Sequence, residues 1–199
     1  MPRTKPLTKA FFEQDVRIVA RMLLGVRVVS TVKNRRVSGI IVETEAYLPK
    51  GDSACHGQRG KTPGNRSMFG RAGLAYIYPI HGKHCFNVVT QQPEEPCAVL
   101  IRSLEPESGV PTMKLRRNQE NDRLLTTGPG RLCQALSLDR GMDGYDLTSG
   151  TKLWLEPAQP VASNSIKVTP RIGVTSAANR KLRFVVEGNA YVSGPKKWR

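Results

Sequence analysis

Residues 39–47, which read GIIVETEAY, constrain the fold more than any other stretch, because they have the composition of a β-strand that carries two carboxylates. Side chains along a strand alternate between its two faces. We expect one face to meet the core, and it carries Ile40, Val42, Thr44 and Ala46. The opposite face carries Glu43, Glu45 and Tyr47. Because glutamate is seldom buried without a partner or a task, this second face is either the solvated side of an edge strand or a functional surface.

The net charge bears on that choice. The chain has 31 lysines and arginines against 16 aspartates and glutamates, which gives a formal charge of +15 and an isoelectric point of about 10.2. Such an excess is typical of proteins that bind a polyanion, usually nucleic acid. Two classes fit it: an enzyme whose carboxylates act on a polyanion, and a non-catalytic nucleic-acid-binding protein. In the alternative interpretation, the acidic residues only balance the charges of neighbouring lysines and arginines.

Length and composition predict one domain. A chain of 199 residues, 39% of them hydrophobic and 24% charged, is long enough to bury a core of its own. We place the folded domain at 8–194, between a basic arm at 1–7 and a basic tail at 195–199. No apolar run approaches the ~20 residues that span a bilayer, and the basic N-terminus lacks the apolar segment of a secretory signal. The four cysteines form no CxxC pair, so we expect a reducing cytoplasm rather than a disulfide framework.

Local patterns predict an α+β fold in which helices flank a mostly antiparallel sheet. Apolar residues at helical spacing predict one helix between Thr8 and Gly25, and further helices at 106–119 and after Pro129. The predicted strands are 26–33, 37–47, 74–80, 86–90, 97–104, 153–155 and 182–186. Residues 48–73 form a long connection rich in glycine and proline, and connections of this length are usually functional or disordered.

Two groups of cysteine and histidine residues are candidates for chemistry. The first is a metal site drawn from Cys55, His56, His81, His84 and Cys85, although their spacing matches no common zinc pattern. The second is a thiol nucleophile at Cys55 beside His56, although neighbouring side chains on an extended loop point apart.

A third group centres on the strand at 39–47. Glu45 can serve as a general base oriented by Arg102, a cation set in an otherwise apolar run. Flat rings for the same pocket come from Tyr47, His56, Tyr76 and Tyr78. Aromatic rings among cations suit an unstacked nucleobase. The residues alone leave a structural alternative open, in which the tyrosines pack the strands and Arg102 forms a structural ion pair.

Eight motifs follow one another from the first helix nearly to the C-terminus. They are IVETEAY (41–47), TPGNRSMF (62–69), the tyrosine pair at 76 and 78, Asn87, VLIRSLEP (99–106), GPGRLCQAL (128–136), RIGV (171–174) and LRFVVEG (182–188). In this order they resemble the motifs of the alkyladenine-type 3-methyladenine DNA glycosylases, a family of base-excision repair enzymes.

The resemblance implies a single domain with a curved antiparallel sheet and a monofunctional glycosylase that needs no cofactor. The implied partner is double-stranded DNA containing damaged purines: 3-methyladenine, and further 7-methylguanine, hypoxanthine or ethenoadenine. It also implies a monomer that acts away from membranes. The expected location is the cytoplasm of a bacterial-type cell, at the nucleoid, or the nucleus of a eukaryote.

The resemblance assigns roles to individual residues. The family's water-activating glutamate falls on Glu45 and its water-orienting arginine on Arg102, and a main-chain carbonyl near Val174 is expected to hold the same water. The rings around the flipped base fall on Tyr47, His56 and Tyr78. Asn87 matches the asparagine that crowds the amino group of guanine. Glu43 matches a second acid to which we assign no role.

The chain departs from the family at the residue that fills the vacated base stack. The human-type member has a tyrosine there, whereas this chain has His81, and the next variable position of the turn is Lys83. The turn region before Asn87 is also one residue shorter. We therefore expect His81 to be the wedge, with Lys83 as the next candidate.

Overall fold

The computed structural model describes residues 4–195, and it confirms a single α+β domain with a curled antiparallel sheet. The helices are α1 (Lys9–Phe12), α2 (Val16–Met22), α3 (Val110–Arg117), α4 (Arg123–Thr126) and α5 (Pro129–Leu136). The strands are β1 (Arg27–Ser30), β2 (Val37–Tyr47), β3 (Ala75–Ile80), β4 (Lys83–Val89), β5 (Ala98–Ser108), β6 (Leu153–Glu156), β7 (Ile166–Thr169) and β8 (Arg183–Val186). The sheet order is β3-β4-β5-β2-β1-β6, and β8 pairs with both β2 and β7.

β2 is a central strand, so the edge-strand interpretation of residues 39–47 is wrong. β5 pairs along one side of β2 from Ser38 to Tyr47. On the other side, β1 pairs with the first part of β2, and β8 pairs with Glu43, Thr44 and Glu45. Every residue from 37 to 46 is buried. Both glutamates therefore lie inside the protein, where an ionised carboxylate needs partners.

An irregular register marks the middle of β2. The opposed residues there are Ile41 with Leu104, Glu43 with Ser103, and Thr44 with Ile101. Val42 and Arg102 are the two residues that this pairing skips, one on each strand. A bulge of this kind re-aims the side chains around it, and such bulges are frequent beside active sites.

Because of this bulge, Ile40, Val42, Thr44 and Ala46 do not share one core-directed face, and that expectation is wrong. Ile41 packs in the main core together with Ala46, whereas Val42 packs with Val185 and Val192 in a separate cluster. Strict alternation holds only in a regular ladder, and here the ladder is interrupted between Ile41 and Thr44.

The N-terminal helix is two helices rather than one. α1 ends at Phe12, and α2 begins at Val16 with Asp15 as its cap, since the Asp15 carboxylate accepts the N–H of Arg17. The buried positions Phe12, Val16 and Val19 belong to the core as expected. Asp15 is the local sign of this break, because aspartate is a common N-cap residue, but the apolar spacing continues across it.

The other predicted elements are confirmed with shifted ends. β1 is shorter than expected because Val32–Asn34 forms one turn of 3-10 helix. β5 runs on to Ser108, so α3 begins at Val110 rather than at residue 106. The local pattern does not predict β7, which is a strand because it pairs with β8.

The two ends of the chain only partly fall within the described residues. Residues 1–3 of the expected arm and 196–199 of the expected tail lie outside them. Leu7, placed in the arm, is buried and its N–H donates to the carbonyl of Leu155 at 2.7 Å. In the part of the chain that the structure describes, no helix is long and apolar enough to cross a membrane.

Candidate active site

Glu45 lies on β2 with no exposed surface, and its carboxylate is held from three directions. Oε1 accepts the N–H of Ile172 at 2.7 Å, and Oε2 accepts the hydroxyl of Tyr47 at 2.9 Å. Arg102 brings its Nη1 to 3.4 Å from Oε1. Tyr47 is two residues further along the strand, so this contact comes from strand geometry, whereas Ile172 arrives from a distant loop.

Arg102 comes from the bulge of β5 and is almost fully buried. Its Nε donates to Glu43 Oε1 at 2.9 Å, and its Nη1 donates to the carbonyl of Ile172 at 3.4 Å. Burial by itself would lower the pKa of Arg102, but the charges of Glu45 and Glu43 raise it above its ordinary value. The guanidinium is therefore a permanent charge that links the two glutamates.

Glu43 is enclosed by donors on both oxygens. Its Oε1 accepts from Arg102 Nε, from Arg183 Nε at 2.6 Å and from the Ser193 hydroxyl at 2.9 Å. Its Oε2 accepts the N–H of Ser193 at 2.8 Å. Burial alone would raise the pKa of Glu43, but the charges of Arg102 and Arg183 lower it overall.

Aromatic rings form a wall next to Glu45. The rings of His56 and Tyr78 meet edge to face with centroids 4.6 Å apart, and Tyr76 lies 5.3 Å from Tyr78. His56 Nδ1 is 2.8 Å from the hydroxyl of Tyr76. Burial, and to a smaller extent the charge of Arg59, lowers the pKa of His56, so its imidazole is neutral at pH 7. Burial and the Glu45 charge raise the pKa of Tyr47, which keeps its hydroxyl protonated as a donor to Glu45.

The wall borders a cleft of about 160 Å³. Its lining includes Tyr47, His56, Tyr78, Ile80 and Val174. A smaller cavity of about 20 Å³ shares these three rings and is also lined by Met68, Tyr76 and Asn87. Pockets for drug-sized ligands are usually above ~300 Å³, so a cleft of this size and lining suits a single small planar group.

Asn87 lies on β4 and lines the smaller cavity. It is buried, and its side-chain nitrogen donates to the carbonyl of Tyr76 on the neighbouring strand at 3.0 Å. This bond fixes the amide against the strand pair and leaves little freedom for the group to move.

The sequence patterns did not predict a clamp formed by Arg171 and Asp52. Both residues are buried, and two bonds of 2.7 Å join the guanidinium to the carboxylate. Arg171 also donates to the carbonyl of Ala46 and stacks 4.6 Å from the ring centroid of Tyr47. The clamp therefore joins the long connection at 48–73 to the segment that carries Ile172. The local signal was that Asp52 is the single acidic residue among residues 48–73.

The β3–β4 hairpin ends beyond the cleft in a two-residue turn. Ile80 pairs with Lys83, and the residues between them have positive φ, 47° at His81 and 71° at Gly82. Positive φ at both positions is the signature of the tight type I′ turn. His81 and Lys83 are exposed at this tip and do not line the cleft, whereas Ile80, which is also exposed, does.

The cysteine and histidine candidates are not brought together. Among residues 4–195, no three metal-ligating side chains cluster. The thiol of Cys55 donates to the carbonyl of Pro96 at 3.3 Å, and burial raises its pKa to about 11. A thiol with that pKa is a poor nucleophile near pH 7.

Residues 10–190 match the family model described as methylpurine-DNA glycosylase. The chain belongs to this family. Membership confirms the resemblance that the eight motifs indicate, and it makes the protein a DNA glycosylase, a hydrolase of base-excision repair.

Individual relatives agree with the family match. A protein of Rhodopirellula baltica is 46% identical over 196 residues, which cover 96% of this chain and 84% of the relative. A protein of Carboxydothermus hydrogenoformans is 44% identical over 188 residues, with 94% and 98% covered. Each is named as a candidate 3-methyladenine DNA glycosylase.

Proposed function

We propose that this protein flips alkylated purines, above all 3-methyladenine, out of duplex DNA and hydrolyses the N-glycosidic bond with a water activated by Glu45. The observation that carries the proposal is the setting of Glu45, a fully buried carboxylate bonded to Tyr47, whose ring lines the aromatic cleft. A carboxylate offers about four acceptor positions, and Ile172, Tyr47 and Arg102 supply three contacts from the described residues. Glu45 can therefore accept one more hydrogen bond, from the attacking water.

Glu45 has two tasks in this mechanism. It takes a proton from the water, and its negative charge favours the oxocarbenium-like sugar of the transition state. Arg102 orients the water together with a main-chain carbonyl of the 172–174 segment. The site needs no metal for either step, since the carboxylate supplies both the base and the charge.

The leaving base determines which lesions react quickly. An alkylated purine is already cationic and departs without an acid, whereas hypoxanthine and ethenoadenine need a proton. The neutral His56 and the high-pKa tyrosines of the cleft are weak acids near pH 7. We therefore expect 3-methyladenine and 7-methylguanine to be released faster than the neutral lesions.

The remaining site residues select and expose the base. Tyr47, His56 and Tyr78 stack around the flipped purine, and Asn87 excludes normal guanine by crowding its 2-amino group. His81, at the exposed hairpin tip, enters the vacated stack, and Lys83 is the alternative for this role. Extrusion costs a few kcal/mol and is least costly for damaged pairs. The enzyme acts as a monomer on double-stranded DNA.

The test uses duplexes that carry one lesion each, incubated with the protein and then treated with alkali. Breakage at the lesion only after alkali supports a monofunctional glycosylase. Breakage before alkali contradicts the monofunctional assignment. Retention of the duplex in a gel shift without any breakage supports the rival, a nucleic-acid-binding protein without activity.

A further inference from the structure

We propose that Glu43 is a positioning residue for the hydrolytic step, which it controls by holding Arg102 in place; this inference rests on the proposed function. Glu43 does not line the cleft, and its oxygens are bonded to Arg102, Arg183 and Ser193. Glu45, in contrast, is bonded to Tyr47, a residue that does line the cleft. The contact of Glu43 with the chemistry runs through Arg102, whose Nε it binds at 2.9 Å.

The shape of the guanidinium makes this contact directional. The group is planar and rigid, so fixing Nε also fixes the direction of the two terminal nitrogens. The Ser193 hydroxyl lies 3.5 Å from Nη2 on the same side. Nη1 is then the nitrogen that reaches Glu45 Oε1 and the carbonyl of Ile172, both at 3.4 Å.

The distances indicate that Glu43 and Glu45 compete for Arg102. The bond from Nε to Glu43 is 2.9 Å and the approach of Nη1 to Glu45 is 3.4 Å, and each contact uses one nitrogen. Arginine prefers two parallel bonds to a carboxylate. Without the pull of Glu43, Arg102 would turn toward Glu45 and take up the acceptor positions that the attacking water needs.

The surroundings of Glu43 hold it rigidly enough for this task. Arg183 binds the same Oε1 at 2.6 Å and is itself anchored to Thr169 Oγ1 and to the carbonyl of Ser193. The N–H of Ser193 fixes the other oxygen. Glu43 thus joins β2, β8 and the segment that follows β8 into one frame around Arg102.

The test compares Glu43→Gln with the parent in two assays. Single-turnover release of 3-methyladenine from methylated duplex DNA measures the chemical step, and a gel shift on a duplex with an abasic-site analogue measures affinity. We expect release to slow by about 100-fold, since misplacing a catalytic group by 1 Å can have that effect. Affinity should stay at the parental value, because Glu43 is remote from the DNA.

A double-substitution cycle separates positioning from a merely structural role. If Glu43 acts through Arg102, then Glu43→Gln adds nothing in an Arg102→Gln background. Glu156→Gln is the matched control, because it removes a buried carboxylate of the same sheet that binds Arg27 and Trp154. It should lower the melting temperature and leave the release rate unchanged.

The outcomes distinguish this inference from the proposed function. A parent protein that releases no base contradicts the proposed function itself. An active parent with Glu43→Gln at the parental rate, or with effects that multiply in the double variant, overturns only the role of Glu43. If Glu43→Gln fails to fold, Ser193→Ala removes the hydroxyl next to Glu43 and Arg102 but keeps the main-chain bond. Slower release at unchanged affinity then supports the inference, and an unchanged rate overturns it.

Discussion

Glu45→Gln tests the proposed mechanism at its centre, because the structure indicates that this substitution changes charge more than shape. The amide oxygen of glutamine can still accept the N–H of Ile172, and its NH₂ can donate to the Tyr47 hydroxyl in place of the present bond. The two glutamates of this buried cluster, Glu43 and Glu45, carry a formal charge of −2, and the two arginines, Arg102 and Arg183, carry +2. The substitution therefore leaves the cluster at a formal charge of +1.

Two effects on the release rate follow from that change. Loss of the general base is worth about 10²–10⁴-fold. Loss of the negative charge beside the oxocarbenium adds to it, and single preorganised groups of this kind contribute about 10²–10³-fold. We therefore expect single-turnover release to slow by at least about 10³-fold, with Glu43→Gln clearly milder at about 100-fold.

Binding should respond in the opposite direction. Removing an anion near the phosphates leaves affinity for lesion duplex unchanged or improved, since repulsion is lost. Arg102 keeps its bond to Glu43, so the stability loss should stay within about 1–3 kcal/mol, which a melting curve checks.

Three results would refute this reasoning. A Glu45→Gln protein that keeps a tenth or more of the parental rate excludes Glu45 as the base. A dead Glu43→Gln variant beside an active Glu45→Gln variant shifts the family register by two residues. Joint loss of folding and binding in both variants makes the two acids structural.

Further predictions concern binding, selectivity and stability. Affinity for undamaged duplex should fall steeply with salt because counterions are released, and a log–log slope near zero contradicts the polyanion argument. His81→Ala should weaken lesion binding while His81→Tyr preserves or improves it, and if both bind like the parent, Lys83 becomes the wedge candidate. Asn87→Ser should raise release of normal guanine relative to alkyladenine, measured on intact DNA; an unchanged ratio assigns the discrimination to another residue. Arg171 lowers the pKa of Asp52 against the effect of burial, so the stability from this pair is present above about pH 4 and lost as the pH falls through the lower folded value. Urea midpoints should show that loss in the parent, and Asp52→Asn should flatten it.

Local pattern was sufficient where the determining interactions are close in sequence. β-branched residues predicted β2, and the i, i+2 spacing placed Glu45 beside Tyr47, now joined by a bond of 2.9 Å. The same reasoning failed at Val42, because a bulge depends on the partner strand, which the local pattern does not contain. It failed at β7 for the same reason, since that strand exists through its pairing with β8.

The arrangement around the two acids was decided by distant contacts. Ile172 reaches Glu45 from 127 residues away, Ser193 reaches Glu43 from 150, and Asp52 meets Arg171 across 119. A buried charge takes whichever partners the fold brings within bonding distance, and only the assembled sheet determines which those are. The sequence by itself determined that two carboxylates lie on an apolar strand in a basic protein. The tertiary structure decided that Arg102, Arg183 and Ser193 enclose Glu43, whereas Glu45 is bonded to Ile172 and to the cleft residue Tyr47, because these partners come from different segments that the fold packs against one strand.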